Sequence, residues 1–214
     1  MITEECFCID NFLSEEELAN VEKTIVTNES GRDFVVPNGP WAGKLTANYV
    51  NLIDTDLVDY FNSKLADVMP RTFNIVGLQR IKLFLPWDVH SDVYMNEISK
   101  GHEPYYNLLI PLDNVLSRTI IFDQTTDGPT DFYSYKQTHA PVADPVDEQF
   151  WQEHLSMCWP EDRQYVTLKK DMPWQRRGQL NGFPIKYFHS SDNFHTKFNE
   201  PKCFIQIRLE TPKN

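Results

Sequence analysis

The chain has 214 residues, 41% hydrophobic and 24% charged, the balance of an ordinary folded domain. Its 31 acidic residues against 20 basic ones give a net charge of −11, which argues against a broad nucleic-acid footprint or attraction to anionic lipid. Apolar runs fall short of the roughly 20 residues a membrane span needs, and Glu4 and Glu5 stand where a secretory leader would be basic. A soluble, cytoplasmic protein is expected, with Cys6, Cys8, Cys158 and Cys203 as reduced thiols.

Residues 7–12 read as a short edge strand. Ser14-Glu15-Glu16-Glu17 spells a capping box, Ser14 at the N-cap and Glu17 three residues on. Leu18, Val21 and Ile25 follow at helical spacing, and the stretch 28–32, with Gly31, ends that helix. A second helix is predicted over residues 56–69, with Leu57, Phe61, Leu65 and Met69 on its apolar stripe and Pro70 as its stop. The period then shifts toward two, predicting strands at 73–76, 79–85, 105–112, 119–123, 185–189 and 203–210. Strands that follow helices in a run imply a mainly β fold, an antiparallel core with helices on one face. The stretch 125–178 is rich in proline and aromatic residues and alternates little. It reads as an irregular insert with a short helix over 147–157, in one domain spanning residues 1–214.

His90-Ser91-Asp92 carries the chemistry. Side chains one residue apart on an extended segment share a face, so a histidine and a carboxylate can grip one ion from the same side. A histidine from a later strand would complete a 2-His-1-carboxylate triad, which holds non-heme Fe(II) and leaves positions open. Chance supplies His-x-Asp in many chains, so its weight comes from the surrounding sequence.

Several segments carry a resemblance. Phe7-Cys8-Ile9-Asp10-Asn11-Phe12-Leu13-Ser14-Glu15-Glu16-Glu17-Leu18 resembles the opening of prolyl-hydroxylase-like and phytanoyl-hydroxylase-like proteins. Pro86-Trp87-Asp88-Val89-His90-Ser91-Asp92 is similar to their metal strand, and Tyr106-Asn107-Leu108-Leu109-Ile110-Pro111-Leu112 to the strand after it. Phe188-His189-Ser190-Ser191-Asp192-Asn193-Phe194 resembles their second-histidine turn, and residues 203–210 their closing strand. These are Fe(II)- and 2-oxoglutarate-dependent oxygenases, and the resemblance implies a double-stranded β-helix, or jelly-roll, core with the N-terminal helices packed on one sheet.

The resemblance further implies Fe(II) held by His90, Asp92 and a distal histidine, with 2-oxoglutarate and O2 as cosubstrates and hydroxylation of a C–H bond as the outcome. The substrate would be a peptidyl residue, an amino acid or a small metabolite. His189 and His195 both suit the distal place, and Lys202 and Arg208 the cation for the cosubstrate's far carboxylate. Each natural pair is thirteen residues apart, so spacing decides nothing. The Phe-His-Ser-Ser-Asp-Asn-Phe context favours His189. Alternation puts Phe204, Gln206 and Arg208 on one face of the closing strand and Ile205, Ile207 and Leu209 on the other, which favours Arg208 as the barrel-facing cation. Lys202, after Pro201 at an expected turn, is the alternate. Asn107 or Tyr106 would add a hydrogen bond to the cosubstrate.

Other residues read blandly. His102, His139 and His154 have no ligand-spaced neighbour and are expected to be structural or exposed. Arg80 and Lys82 fit an exposed edge strand or an inner wall. Trp151, Trp159 and Trp174 fit a small core better than a substrate cage, though an insert so placed could act as a lid. Arg176-Arg177 is a solvated pair unless an anionic substrate meets it. Two other functions stay open: a catalytically silent jelly-roll, and a cupin-like metalloprotein using another metal.

Overall fold

The computed structural model describes residues 5–27, 31–36, 41–69, 73–93, 104–128 and 130–210. The expected helix break at residues 28–30, Pro70 and His102 lie outside them.

The capping box forms as spelled. The Ser14 hydroxyl accepts from the Glu17 N–H (3.3 Å), and the Glu17 carboxylate accepts from the Ser14 N–H (2.8 Å). Two orphan donors are thereby satisfied where α1 (Glu15–Thr27) begins. Leu18, Val21 and Ile25 are buried along its inner stripe. α2 (Leu57–Ala66) buries Leu57, Phe61 and Leu65 and is shorter than the apolar stripe suggested, because residues 67–69 close in a turn onto the Leu65 carbonyl. Lys64 of α2 meets Glu17 of α1, tying the two helices at their surface.

Among the described residues, ten strands form two sheets. The larger has the order β1-β8-β5-β10-β4-β3-β2, with β1 Phe7–Ile9, β2 Arg32–Val35, β3 Leu45–Asn51, β4 Asn74–Leu83, β5 Pro104–Pro111, β8 Leu180–Pro184 and β10 Lys202–Glu210. The smaller is β7-β6-β9, from Leu168–Trp174, Ser117–Thr125 and Tyr187–Ser191. All pairings are antiparallel. The alternation in β10 sorts as expected. Ile205, Ile207 and Leu209 pack with Leu18, Val21, Phe61 and Leu65 beneath the N-terminal helices. Phe204 turns inward to meet Ile81, Leu83 and Phe183 of its own sheet and Ile121, Met172 and Trp174 of the other. The inner faces of the two sheets so enclose a second core, the jelly-roll arrangement.

Several expected elements shift. Segments 73–76 and 79–85 are one strand, because Gly77 is not a break: a side chain there would collide with Arg208, which lies across it. The segment 185–189 covers the turn after β8 and the start of β9, and β2, β3, β7 and β8 were not foreseen. Arg80 and Lys82 lie on a central strand, on the face away from the cavity, where Arg80 donates to Asn48 (2.9 Å) and Lys82 is exposed. The insert is largely structured. It supplies β7, α3 (Phe132–Thr138), α4 (Glu148–His154) and a 3₁₀ turn over Pro160–Tyr165. Trp151, Leu155 and Cys158 of the insert pack on Ile120, Phe122 and Phe188 from the outer face of the small sheet. The last helix, α5 (Phe194–Phe198), joins β9 to β10. All four cysteines are free thiols. No helix among the described residues is long and apolar enough to cross a membrane.

Candidate metal centre

β4 ends at Leu83, and the chain then crosses to the small sheet, where His90 pairs with His189 of β9. The two residues exchange both backbone hydrogen bonds, at 3.0 and 2.8 Å. This single bridge sets the imidazoles side by side, with ring centroids 4.3 Å apart. Asp92, two residues further on the same segment, turns its carboxylate between them. Oδ1 lies 3.9 Å from His90 Nε2, and Oδ2 lies 3.3 Å from His189 Nε2. One ligand atom from each of His90, Asp92 and His189 falls within 4.8 Å of the others.

Hydrogen bonds fix which nitrogen faces the carboxylate. His90 Nδ1 is 2.6 Å from the Asp88 carbonyl, and His189 Nδ1 is 3.1 Å from the Tyr187 carbonyl. A carbonyl only accepts, so both Nδ1 atoms carry a proton and both Nε2 atoms are left facing the carboxylate. Burial, with His189 as its neighbour, pushes His90 down to about 4, so this ring is neutral at physiological pH. Burial alone would raise Asp92, but His189 and His90, aided by Arg208, outweigh it and hold the carboxyl well below its usual range. Two imidazole Nε2 atoms thus flank an ionised, buried carboxylate, and His90 Nε2 has no hydrogen-bond partner. With both rings neutral, one cation could take a ligand atom from each of the three, so the donor set fits a divalent transition metal of the Fe(II) type.

The triad lines a cleft with about 310 Å³ of space, its open mouth included. Trp87 walls one side, edge-on to His90 at 5.4 Å and stacked on Tyr49 at 6.2 Å. Lys202 lines it as well, 1% exposed, its ammonium 4.2 Å from the centre of the Trp174 ring and 5.0 Å from that of Phe194. Lys202 Nζ donates to the Ser117 hydroxyl (3.1 Å), which donates to Asp192 (2.6 Å). Burial brings the Lys202 ammonium down to about 8 despite the pull of Asp192 and Asp113.

The structure therefore groups His189, not His195, with His90 and Asp92. His195 sits on α5 with its ring against Trp41, at 5.2 Å. Lys202 and Arg208 share a face of β10 but separate along it. Lys202 belongs to the cavity wall, whereas Arg208 stands two residues beyond Gln206, pairs in register with Asn107 and Gly77, and is not part of the lining. Asn107 lines the cavity and donates to Asp92 Oδ2, as does Gln206 (3.1 Å). Tyr106 turns the other way, into the core under the helices. Sequence reasoning missed Gln206, Trp87 and Ser117. Gln206 was on the correct face of the alternation, but a neutral amide carries no charge pattern to flag it. Of the insert tryptophans, Trp151 is core and Trp159 is exposed. Trp174 meets the cavity with its indole N–H on Thr119 (3.0 Å). His154 is buried beside Lys197 and His139 is exposed, both away from the triad. Arg176 and Arg177 pair with Asp10, Glu15 and Glu22 near the N-terminus.

No family model and no curated protein sequence matches the chain. Solved structures do. The non-heme α-ketoglutarate-dependent epimerase SnoN from nogalamycin biosynthesis aligns over 97% of this chain and 79% of its own, with a TM-score of 0.59 at 12% identity. The fold is that of the 2-oxoglutarate oxygenases. The carbocyclase SnoK from the same biosynthesis gives 0.54 at 13% identity, over 97% of this chain and 80% of its own. HygX from Streptomyces hygroscopicus, with nickel and 2-oxoglutarate bound, gives 0.54 at 10% identity, over 98% and 84%.

Proposed function

We propose that the protein is an Fe(II)- and 2-oxoglutarate-dependent oxygenase acting on a C–H bond of a small molecule, with hydroxylation as the outcome. The observation that carries this is the convergence of two imidazoles, each with Nδ1 committed to a backbone carbonyl, on one carboxylate inside a jelly-roll cavity. His90, Asp92 and His189 would hold the iron on one face. When bound, the iron and 2-oxoglutarate together activate O2 for attack on the C–H bond. Lys202 would meet the far carboxylate of 2-oxoglutarate, since among the described residues it is the cation in the cavity wall and its charge sits in an apolar cage that an anion would relieve. Trp174, Phe194 and Phe204 exclude water around that ammonium and strengthen its attraction to an anion. Trp87, on the His90 side, would border the substrate. A small-molecule substrate is supported by the company of the fold, which includes HygX crystallised with hygromycin B and SnoN crystallised with nogalamycin RO.

The test is anaerobic addition of Fe(II) and then 2-oxoglutarate to the apo protein, followed by visible absorption. A weak metal-to-ligand charge-transfer band that needs both additions and is missing in His90→Ala supports the reading. A folded, iron-loaded protein without the band would overturn it.

A further inference from the structure

Asp92 is fixed by a row of amides as well as by the histidines. Its Oδ2 accepts from Asn107 Nδ2 and from Gln206 Nε2, and Gln206 Oε1 accepts in turn from Gln79 Nε2. The three amides stand on the inner faces of β5, β10 and β4, neighbours in the large sheet, with Gln206 directly opposite Gln79. Asn107 and Gln206 are almost wholly buried, as is Asp92. The polarity of the row is dictated chemically. An ionised carboxylate only accepts, so Gln206 must present its NH2 group to Asp92, and its carbonyl must then face a donor, which Gln79 supplies.

We propose that Gln206 is a positioning residue of the metal centre, which with Asn107 holds Asp92 Oδ2 and so fixes how the carboxylate faces the two histidines. The inference rests on the metal reading above. Two amides hold Oδ2, which lies 3.3 Å from His189 Nε2, while Oδ1 lies 3.9 Å from His90 Nε2. A carboxylate braced in this orientation needs no turning when a metal enters, so losing the brace costs affinity. Gln79 acts at one remove, by keeping Gln206 turned the correct way. Partners of this kind to a ligand commonly change metal affinity 10- to 100-fold when removed.

Co(II) is a suitable probe, because its absorption reports coordination number and it needs no cosubstrate. Calorimetric and optical titration of the wild type, Gln206→Met, Gln79→Met and the double variant is the experiment. Gln206→Met should bind Co(II) roughly 10- to 100-fold more weakly, with an altered visible spectrum. Gln79→Met should shift in the same direction by less, and the double variant should be no weaker than Gln206→Met alone. A purely structural row would lower the apo melting temperature and leave affinity and spectrum alone. Affinity within twofold and an unchanged spectrum in Gln206→Met would therefore overturn the proposal. If Gln206→Met does not fold, an unchanged affinity and spectrum in Gln79→Met does the same. A wild type that fails to bind Co(II) would instead bring down the metal reading itself, and the positioning role with it.

Discussion

Replacing Lys202 with methionine should separate stability from cosubstrate binding, because the two respond in opposite directions. The ammonium is 1% exposed and brought from 10.5 to about 8, a net figure that already includes the attraction of Asp192 and Asp113. At 1.36 kcal/mol per tenfold, that drop corresponds to ~3 kcal/mol by which the charged form is disfavoured in the apo fold. Methionine keeps the length and apolar bulk against Trp174 and Phe194 but forfeits the hydrogen bond to Ser117, which is worth about 1 kcal/mol. The apo variant should therefore be more stable by ~2 kcal/mol, a rise of roughly 4–8 °C in melting temperature for a chain of this size. Cosubstrate binding should move the other way. Losing one partner of a buried charge pair costs about 2–5 kcal/mol, or roughly 30-fold to more than 1000-fold in 2-oxoglutarate affinity. Differential scanning fluorimetry of the apo proteins, with 2-oxoglutarate titrated against the fluorescence of nearby Trp174 in Mn(II)-loaded protein, reads both quantities. A variant that binds 2-oxoglutarate as the wild type does would refute the placement of Lys202. A lowered apo melting temperature would refute the claim that its charge is strained.

The same ammonium predicts a pH profile. The charge is present below about 8 and lost above it, so 2-oxoglutarate affinity should be flat up to pH 7 and weaken about tenfold per pH unit beyond 8, a trend that Lys202→Arg should remove. Stability has the opposite trend. A lowered lysine weakens the fold fully below 8, and the penalty lifts as pH rises from 8 toward 10.5, so the apo wild type should gain on Lys202→Met across that window. His90→Ala should abolish Co(II) binding by calorimetry, whereas His195→Ala should bind within about twofold of wild type; equal loss in both would reopen the distal position. Gly178→Ala should destabilise by about 1–3 kcal/mol in urea, since its φ is +74° and a Cβ would come within 2.5 Å of the Leu13 carbonyl oxygen; an unchanged midpoint would show that this turn relaxes freely.

Much of the site was legible because its chemistry is local in sequence. His90 and Asp92 are one residue apart, and their shared face follows from extended backbone alone. The capping box at Ser14 is equally local. The cation was harder. Pro201 suggested a turn that would carry Lys202 outside the strand, but proline is tolerated where a strand begins, and β10 starts at Lys202. Lys202 therefore joins the face of Phe204, Gln206 and Arg208, and only the position of β9 and β6 decides which end of that face meets the cavity. The insert was illegible because its strand, β7, is half-buried from Leu168 to Asp171 and holds Pro173, so it alternates little. It packs its other segments on β6, where Ile120 and Phe122 point toward the insert and Ile121 into the core between the sheets.

β10 lies between β4 and β5 in the large sheet, although it follows both in the chain. During folding, those two strands must wait with open edges on either side of an empty slot. Closing the gap requires contacts between residues well over a hundred positions apart, such as Ile81 with Phe204, and pairings of that range are slow. Until they form, the exposed edges are the places where one nascent chain could pair with another. The same late step delivers Lys202 and Gln206. A chain that has not placed β10 therefore lacks both Lys202 and the amide on Asp92, and the proposed metal site cannot be complete before the large sheet closes.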